Sequence, residues 1–511
     1  MKKYNVFKVL FITTLVAMVC SFVIPQSQIG YTGIEKGEIN PITFIDSISN
    51  GLTSFSVFIA SFVYILSIGI FYAILKKSDK YEAVVNNTAA KFKNKKVFII
   101  ISVLTFGLLT SVIGDMMPML IFVPVFMDIA KKLGYDSKAA ILSTIGAIIF
   151  GSVGSLYTNY TNQILAVSVT TNIILKVIIL IVSLIGLILF VIFGSKAKSV
   201  KLEKINVKKT LPIVIAFDVI LILIILGMTP WKAYFNFNGF ADFHKALVDF
   251  KVLKVSLFNA ILGRTLLAFG EWSIYSVIVL LLVVSVVLSL IYKLKVDNFL
   301  ETVANGIKKA LPYALIIVFA NIVLVGVYNS GFFVTVINAI GSMKDKILSA
   351  TTVSLLSSIV YPDYGYAAQF TVSTLAVVIS KKAIYVTLAV IFQFIYSLAL
   401  LISPTSVLLL IGLRYENIRY KDWFKYISKF FLLVFIVYYI VIMIIGGKFV
   451  KAISYVVLAV LVIILALLFV LKKGKKETVT IVKEETKEEK TEKVKKETKK
   501  TTTKKTTNKK K

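Results

Sequence analysis

The sequence predicts an all-α polytopic membrane protein with about ten to twelve transmembrane helices plus re-entrant hairpins, arranged as two structural repeats. Of its 511 residues, 58% are hydrophobic and only 16% are charged, which is far more apolar than a soluble chain of this length. Apolar stretches near the roughly 20 residues that a helix needs to cross lipid recur up to residue 472. Shorter apolar segments predict hairpin arms or broken helices around a protein-lined cavity, at 116–130, 332–340 and 367–380.

The first predicted element is a membrane helix over residues 6–24. Its basic start and apolar run also resemble a cleaved signal peptide. However, Val19 precedes the single cysteine, Cys20, and many spans follow, so we expect the helix to be retained. One cysteine excludes an intramolecular disulfide framework.

The positive charges predict the orientation of the spans. A net charge of +32 would suggest nucleic-acid binding in a soluble protein, but here Lys and Arg lie between and after apolar spans. We therefore expect a multi-pass protein of the cell membrane with the lipid bilayer and a small-molecule substrate as partners, and no nucleic acid. Both termini then lie in the cytoplasm with the basic segments, which are 76–96, 196–209, 293–309 and 414–425.

Spans, loops and polar breaks follow a similar order in the two halves, which indicates an internal duplication. The charge pattern gives 6–24 and 211–229 the same direction, so it does not predict an inverted relation between these two spans. The predicted segments are an N-terminal membrane helix and outer loop (1–51), a first membrane repeat (52–210), a linking helix and outer loop (211–271), a second membrane repeat (272–446), a C-terminal membrane helix (447–471) and a disordered Lys/Glu/Thr-rich cytoplasmic tail (472–511).

Polar residues interrupt the apolar sequence between 114 and 163. A helix broken near Tyr157 would free backbone groups that a cation or a carboxylate can use, and intramembrane polar groups are costly when they bind nothing. The alternative is an external loop between two ordinary helices. The candidate substrate or ion ligands of this region are Asp115, Thr158, Asn159, Thr161 and Asn162.

A second polar region lies between 392 and 420, where Pro404 breaks a helix. The candidate ligands are Gln393, Ser403, Thr405 and Ser406, whose oxygens can coordinate an ion. The alternative is a proline kink satisfied by neighbouring hydroxyls. Because broken helices of two repeats meet near the middle of the bilayer, we expect 157–162 and 403–406 to share one site.

Three segments carry a resemblance to a known family: Leu133–Asp136, Ile402–Ser406 and Arg419–Trp423. In order and spacing they resemble the YfcC-like group of anaerobic C4-dicarboxylate carriers, over most of residues 50–446. This family belongs to the ion transporter superfamily. The resemblance implies two inverted repeats, paired hairpins, an elevator-like moving unit on a fixed scaffold and, often, a homodimer.

The sequence also departs from the family pattern. The family typically has Gln-x-Gly-Asp-Gly-x-x-Asn before its Pro-Thr-Ser, whereas here Gln393 is followed by an apolar run without Gly-Asp-Gly or Asn. The Ser-Gly-Ser-Gly hairpin tip is replaced by Asp363–Tyr366, and Asp115 stands where the family usually has a glutamate. Asp363 therefore joins the candidate ligands, and the substrate and the coupling ion stay open.

Several other functions are excluded or given less weight. The sequence has no phosphate-binding GxxxxGK[ST] loop and no nucleophile elbow, so we expect neither an ATP-driven pump nor an enzyme. His244 has no His or Cys neighbours in sequence, which argues against a metal site. Asp218 within a span is a candidate proton carrier. Gln369, Asn321 and Asn329 could line a cavity, but hydrogen bonds between helices are the favoured interpretation.

These observations predict a secondary active transporter, an ion- or proton-coupled carrier or exchanger, for a small organic anion or an amino acid. No cofactor is expected beyond a coupling Na⁺ or H⁺. Arg264, Arg414 and Arg419 fall in loops, so a dicarboxylate would need hydroxyls, amides or cations to hold it. An amino acid could pair its ammonium group with Asp115 or Asp363. The alternatives are an ion channel or pore, or a membrane assembly protein without transport activity.

Overall fold

The computed structural model describes residues 5–31, 33–157, 159–195, 197–200, 205, 207, 210–252, 254–263 and 267–447. These residues are predominantly helical, with very little sheet, because a helix satisfies its backbone hydrogen bonds internally and so suits lipid. The predicted all-α polytopic class is confirmed. The predicted C-terminal span 451–471 and the tail 472–511 lie outside the described residues.

The elements before residue 200 include one small antiparallel sheet, a 3₁₀ turn at Met117–Ile121 and a wide π-helical turn at Leu142–Gly146. They are α1 (Asn5–Val23), β1 (Ser27–Gly30), β2 (Gly33–Lys36), α2 (Phe44–Val57), α3 (Ile59–Leu75), α4 (Lys80–Lys91), α5 (Lys95–Ile113), α6 (Val123–Lys132), α7 (Ser137–Ile141), α8 (Ala147–Val153), α9 (Asn159–Ile164) and α10 (Ile173–Gly194).

The later elements include a second π-helical turn at Ala368–Val372 and a 3₁₀ turn at Lys382–Ile384. They are α11 (Leu211–Met228), α12 (Trp231–Phe235), α13 (Gly239–Asp249), β3 (Lys251–Val252), β4 (Val255–Ser256), α14 (Leu257–Leu262), α15 (Ile274–Ile291), α16 (Val296–Ser330), α17 (Phe332–Gly341), α18 (Lys346–Val360), α19 (Tyr364–Ala367), α20 (Ser373–Ile379), α21 (Tyr385–Ala399), α22 (Val407–Tyr415) and α23 (Tyr420–Gly447).

Among the described residues, eight helices are long and apolar enough to cross a membrane. The pair α2 and α3, bent by 68°, makes a ninth candidate. The remaining apolar helices are shorter, with 10 to 17 residues, and most of them belong to hairpins or broken helices. The total of about ten to twelve crossings stays a prediction, because the span 451–471 is outside the described part of the chain.

Two helical hairpins form where the sequence has short apolar segments. Hairpin 1 (95–132) joins α5 to α6 and turns at Gly114, whose φ of +78° suits a residue without a side chain. Hairpin 2 (346–379) joins α18 to α19 and α20 and turns at 361–363. The segments 116–130 and 367–380 are thus return arms of hairpins. The piece 332–340 is instead the separate helix α17, which packs on α18 and β1.

Two helices are interrupted by non-helical segments. Break 1 (154–157) separates α8 from α9, and break 2 (400–406) separates α21 from α22. Each broken helix packs on the first arm of the hairpin in its own half, since α8 contacts α5 and α21 contacts α18. Both predicted polar regions therefore interrupt helices rather than form external loops.

The hairpins start from opposite ends of the helix bundle. The base of hairpin 1 lies beside Lys76 and Glu416 at what we call the basic end, where the segments 76–95, 131–138 and 415–420 meet. The return arm of hairpin 2, α20, contacts β2 at the opposite end of the helix bundle. We call this the sheet end. The element order from α15 to α23 therefore parallels that from α1 to α10 with the direction reversed.

This order explains the charge pattern of the sequence. The counterpart of α1 is α15, which runs from the sheet end to the basic end, whereas α11 is a linking span. The spans 6–24 and 211–229 share a direction because they are not equivalent elements.

The helices pack in two groups. The first group, which we call the scaffold helices, comprises α1, α2, α3, α15 and α16, and α3 crosses α16 closely at Gly69. A Cβ atom at Gly69 would lie 2.3 Å from the Ala310 Cβ, so only glycine permits this crossing. The second group, the hairpin bundle, comprises α5–α10 and α18–α23. We call the surface along which α3 and α16 face hairpin 1 and α22 the seam.

Candidate functional site

A cavity of about 530 Å³ lies where the hairpin tips and the helix breaks meet. We call it the central cavity. Its wall combines both hairpin tips, both breaks, the scaffold helices α3 and α16, and the segment before α15. The residues used below are Ser61, Asp115, Ser152, Ser155, Tyr157, Tyr160, Glu271, Asn321, Asp363 and Ser406.

Asp115 follows the turn of hairpin 1 and lines the central cavity. Its Oδ1 accepts a hydrogen bond of 2.9 Å from the Met117 amide, which caps the start of the return arm. The tip packs tightly on break 1, since a Cβ at Gly114 would lie 2.6 Å from the Tyr157 carbonyl oxygen. The carboxylate is therefore fixed by the backbone while it faces the cavity.

Asp363 occupies the corresponding place at the tip of hairpin 2. Its Oδ1 accepts a hydrogen bond of 3.0 Å from the Tyr366 amide and caps α19. With Glu271, three carboxylates line the central cavity, and the described lining residues include no lysine or arginine. A cation, an ammonium group or a proton is the natural partner of such a wall.

The structure describes the side chains of only some of the ligands predicted after break 1. Thr158 lies outside the described residues, as does the side chain of Asn159, whose backbone begins α9. The Thr161 hydroxyl lies 2.9 Å from the Tyr364 hydroxyl, and Asn162 Nδ2 donates to the Ser168 carbonyl at 2.7 Å. Neither side chain is part of the cavity wall, so Thr161 and Asn162 hold α9 against its surroundings.

Break 2 places only one of its three predicted hydroxyl residues in the wall, Ser406. Ser403 Oγ donates to the Ser358 carbonyl at 2.6 Å, and Thr405 Oγ1 lies 2.9 Å from the Ile359 carbonyl oxygen. These carbonyls end α18 and need donors there. Ser403 and Thr405 therefore bond to carbonyls of hairpin 2 and are not among the described residues that line the central cavity.

The side chain of Gln393 also bonds to backbone groups of the protein. Its Nε2 donates to the carbonyls of Val153 at 3.0 Å and Ser155 at 2.7 Å. These carbonyls are freed where α8 ends, so the amide of α21 replaces the missing helical donors. Gln393 joins the two broken helices and is not part of the described cavity wall.

Asn321 on α16 belongs to the wall, although its sequence context suggested helix-to-helix bonding. Its Nδ2 donates to Ile317 of the same helix at 2.9 Å, and its buried Oδ1 has no hydrogen-bond partner within the described part of the chain. It is an acceptor contributed by the scaffold. Asn329, in contrast, bonds Asn50 across helices at 3.0 Å as expected.

Charged and tyrosine side chains surround the base of hairpin 1 at the basic end. The Asp128 carboxylate of hairpin 1 lies 3.3 Å from Lys76 Nζ and accepts from the Tyr81 hydroxyl at 2.9 Å and the Tyr415 hydroxyl at 3.2 Å. Burial raises the pKa of Tyr81, which keeps its hydroxyl a donor at neutral pH. Lys131 pairs with Glu416 at 2.9 Å.

The hydroxyl group of Tyr72, on the scaffold helix α3, also bonds to backbone groups of hairpin 1. Tyr72 Oη donates to the Ile121 carbonyl at 2.7 Å and accepts from the Val125 amide at 3.2 Å. Residues 121 and 125 have the spacing of one α-helical hydrogen bond. The hydroxyl therefore occupies the gap of that missing bond. Tyr64 makes a second crossing of the seam to the Pro118 carbonyl at 2.9 Å.

Two of the remaining candidate charges, Arg414 and Asp218, are not among the described residues that line the central cavity. Arg414 is in the last turn of α22, buried, with its guanidinium 5.1 Å from the Phe7 ring and 5.5 Å from the Tyr313 ring. Placing Arg414 in a loop was therefore wrong. Asp218 is on an exposed face of α11. Arg264 is outside the described residues.

Paired hairpins and broken helices around a polar central cavity define a helical membrane carrier. The chain belongs to the C4-dicarboxylate anaerobic carrier family (DcuC), whose model matches residues 1–447. The family resemblance inferred from the sequence motifs is thereby confirmed. A transporter family also fits the expectation that the chain is not an enzyme.

Two solved structures are similar to the chain at low identity. The YdaH transporter of Alcanivorax borkumensis is 10% identical with a TM-score of 0.44, covering 87% of this chain and 98% of that one. MtrF of Neisseria gonorrhoeae, described among antimetabolite efflux pumps, is 16% identical with a TM-score of 0.38, covering 85% and 94%. A search of curated proteins finds no significant match.

Proposed function

We propose that this member of the family is a secondary active transporter that binds a small carboxylate-bearing solute, an organic anion or an amino acid, in the central cavity. The observation that carries the proposal is the convergence of both hairpin tips and both helix breaks on one cavity, with an aspartate at each tip. Freed backbone groups and fixed side chains then surround a solute from both halves of the chain.

The charge of the cavity limits the form in which a solute can bind. Asp115, Asp363 and Glu271 would repel a bare dianion, and no described lining side chain is cationic. A dicarboxylate therefore has to bind together with cations or protons. An amino acid brings its own ammonium group for Asp115 or Asp363, and its carboxylate then meets backbone amides and the Ser406 hydroxyl.

The same carboxylates offer a means of coupling solute transport to an ion gradient. A carboxylate away from bulk water remains charged only with a cation beside it, and otherwise takes up a proton. We propose that Asp115 and Asp363 carry the coupling Na⁺ or H⁺. Asn321 Oδ1 supplies a further neutral oxygen from the scaffold.

Alternating access would come from elevator-like sliding of the hairpin bundle along the scaffold helices. The contacts that cross the seam include the polar ones of Tyr64, Tyr72 and Lys76, together with Arg414 of α22 against the Tyr313 ring of α16, and side-chain contacts of this kind can be broken and remade. We place the basic end in the cytoplasm of the cell by the positive-inside rule. A homodimer would hold the scaffold fixed, as the family resemblance implies.

Purified full-length protein in liposomes tests this function. Labelled dicarboxylates and amino acids are offered with and without imposed Na⁺ and pH gradients, and we expect counterflow of one solute class that changes when a gradient is collapsed. Protein-free liposomes are the control. Absence of gradient-sensitive flux over the whole panel contradicts the proposal, and single-channel conductance without counterflow would indicate a channel.

A further inference from the structure

A second and larger cavity, of about 680 Å³, lies nearer the basic end. We call it the basal cavity. It follows the same seam as the central cavity but begins about one turn further along each helix, between α3 and α16 on one side and hairpin 1 and α22 on the other. None of the residues predicted to bind substrate lines it.

The charged groups of the basal cavity all have one sign. Lys76, Lys77 and Lys309 line it, and the described lining residues include no carboxylate. Lys77 and Lys309 are exposed, and Lys76 faces Asp128 at 3.3 Å. The wall is therefore suited to a negative charge, in contrast to the acidic central cavity.

The rest of the wall is largely apolar with a few hydroxyl groups. Ile65, Ile68, Val123 and Ile411 supply aliphatic surface, and three tyrosines (Tyr72, Tyr313 and Tyr415) add aromatic faces. A small hydrated anion would leave this surface uncovered, whereas an anionic head attached to a hydrocarbon chain satisfies both parts of the wall.

We propose that the basal cavity binds an anionic phospholipid, with the phosphate at Lys77 and Lys309 and the start of an acyl chain against the aliphatic wall. Basic pockets between membrane helices on the positively charged side are suited to acidic headgroups. Lys76 stays with Asp128 and contributes its charge from the margin. Free inorganic phosphate offers the same charged group, but we assign the phosphate in this cavity to a lipid of the leaflet at the basic end.

The position of the basal cavity gives the bound lipid a structural effect. Its walls come from scaffold helices on one side and from the hairpin bundle on the other, so one occupant contacts both groups. Sliding of the bundle changes the shape of this cavity, and a bound lipid therefore favours the arrangement in which the cavity is fully formed.

Native mass spectrometry of the delipidated full-length protein in detergent tests the proposal directly. The protein is titrated with phosphatidylglycerol, phosphatidylcholine or inorganic phosphate. We expect one tightly retained phosphatidylglycerol, and about tenfold weaker retention in the double variant Lys77→Gln/Lys309→Gln. The matched control is Lys91→Gln/Lys93→Gln, which removes the same charge at exposed positions of the same end outside the cavity.

The outcomes separate the alternatives. Equal phosphatidylglycerol retention by the two double variants overturns the site. Equal retention of phosphatidylcholine overturns the role of the charge. Displacement of the lipid by millimolar inorganic phosphate alone would show a soluble anion to be the occupant and overturn the lipid as its source. Because binding is measured without transport, failure here leaves the proposed carrier function untouched.

Discussion

The two aspartates at the hairpin tips combine a structural and a chemical role. Each one caps a helix with a single carboxylate oxygen and lines the central cavity. We expect Asp115→Asn and Asp363→Asn to keep the caps, because an asparagine oxygen also accepts from the backbone. Each variant should lose coupling, seen as at least about tenfold slower gradient-driven flux in liposomes.

Asp345→Asn is the matched control for both variants. Asp345 caps α18 through the amides of Ile347 and Leu348, but it does not line the central cavity. Its flux and gradient dependence should stay at the wild-type level. If Asp345→Asn were as impaired as the tip variants, the aspartates would act as caps and not as ligands.

Thr405 illustrates the opposite case, a predicted ligand that the structure assigns to hairpin 2. Thr405→Val keeps the shape but removes the donor beside the Ser358 and Ile359 carbonyls, which should cost about 1–3 kcal/mol. We expect a lower thermal unfolding midpoint in detergent with solute affinity retained in the folded fraction. Thr53→Val, at an exposed position on α2, is the control with little expected change.

At the scale of single residues, the sequence identified the polar residues around the helix breaks more reliably than the groups that these residues contact. Asp115, Asp363 and Ser406 line the cavity. The signal for Asp115 and Ser406 was a polar residue within apolar sequence, whereas Asp363 was found by its departure from the family's hairpin tip. Gln393, Ser403 and Thr405 carry the same signal but serve backbone carbonyls from other parts of the chain. A hydroxyl facing a ligand and one facing a distant carbonyl look identical in sequence, since their partners are set by tertiary contacts.

Among the elements, hairpin 1 has a helical hydrogen bond that is replaced by a side chain of a scaffold helix. The Tyr72 hydroxyl bonds both Ile121 and Val125 in place of a helical bond. We expect Tyr72→Phe to raise amide hydrogen exchange of peptides within 117–132 by about tenfold, because two backbone groups lose their partner. Exchange mass spectrometry measures this.

Tyr81→Phe is the control, since its hydroxyl bonds the Asp128 side chain and no backbone group of hairpin 1. Exchange in 117–132 should stay unchanged in that variant. Unchanged exchange in Tyr72→Phe as well would mean that the helix recloses between Ile121 and Val125, and that the hydroxyl does not hold it open.

The elements could be predicted in type but not in pairing. The short segments 116–130 and 367–380 indicated hairpin arms because they are too short to cross. Their partners α5 and α18 are ordinary apolar helices, so nothing local shows that they turn back rather than continue. The inserted Tyr72 hydroxyl has no sequence signal either, because it depends on how α3 meets hairpin 1.

For the whole molecule, relative movement of the two groups of helices is the property to test. On a Cys20→Ser background, Lys76→Cys with Asp128→Cys places one thiol on each side of the seam, at residues whose charged atoms lie 3.3 Å apart. A short bismaleimide should stop flux by joining scaffold to bundle. The uncross-linked double variant should retain flux.

A matched pair within the hairpin bundle, Lys131→Cys with Glu416→Cys, should transport normally after cross-linking, because both residues would move together. Continued flux in the cross-linked pair Lys76→Cys and Asp128→Cys would contradict sliding along this seam.

The whole-molecule architecture was partly accessible from composition and charge. Apolar spans and basic segments predicted a multi-pass helical protein, and family motifs implied inverted repeats. Charge alone could not pair the repeats, because α11 links them and shares the direction of α1. The acidic central cavity and the basic basal cavity are combinations of residues from distant segments, which sequence order does not bring together.

The two π-helical turns, at Leu142–Gly146 and Ala368–Val372, have a consequence for insertions and deletions. Such a turn holds one residue more than an α-helix, while a residue removed from a regular helix rotates all that follows by about 100°. Deleting one residue within 368–372 should therefore leave hairpin 2 in register, whereas deleting one within 374–378 should misalign its end. Folding yield and thermal midpoint distinguish the two. Each of these turns is therefore a position at which a described helix can lose one residue without rotating the residues that follow.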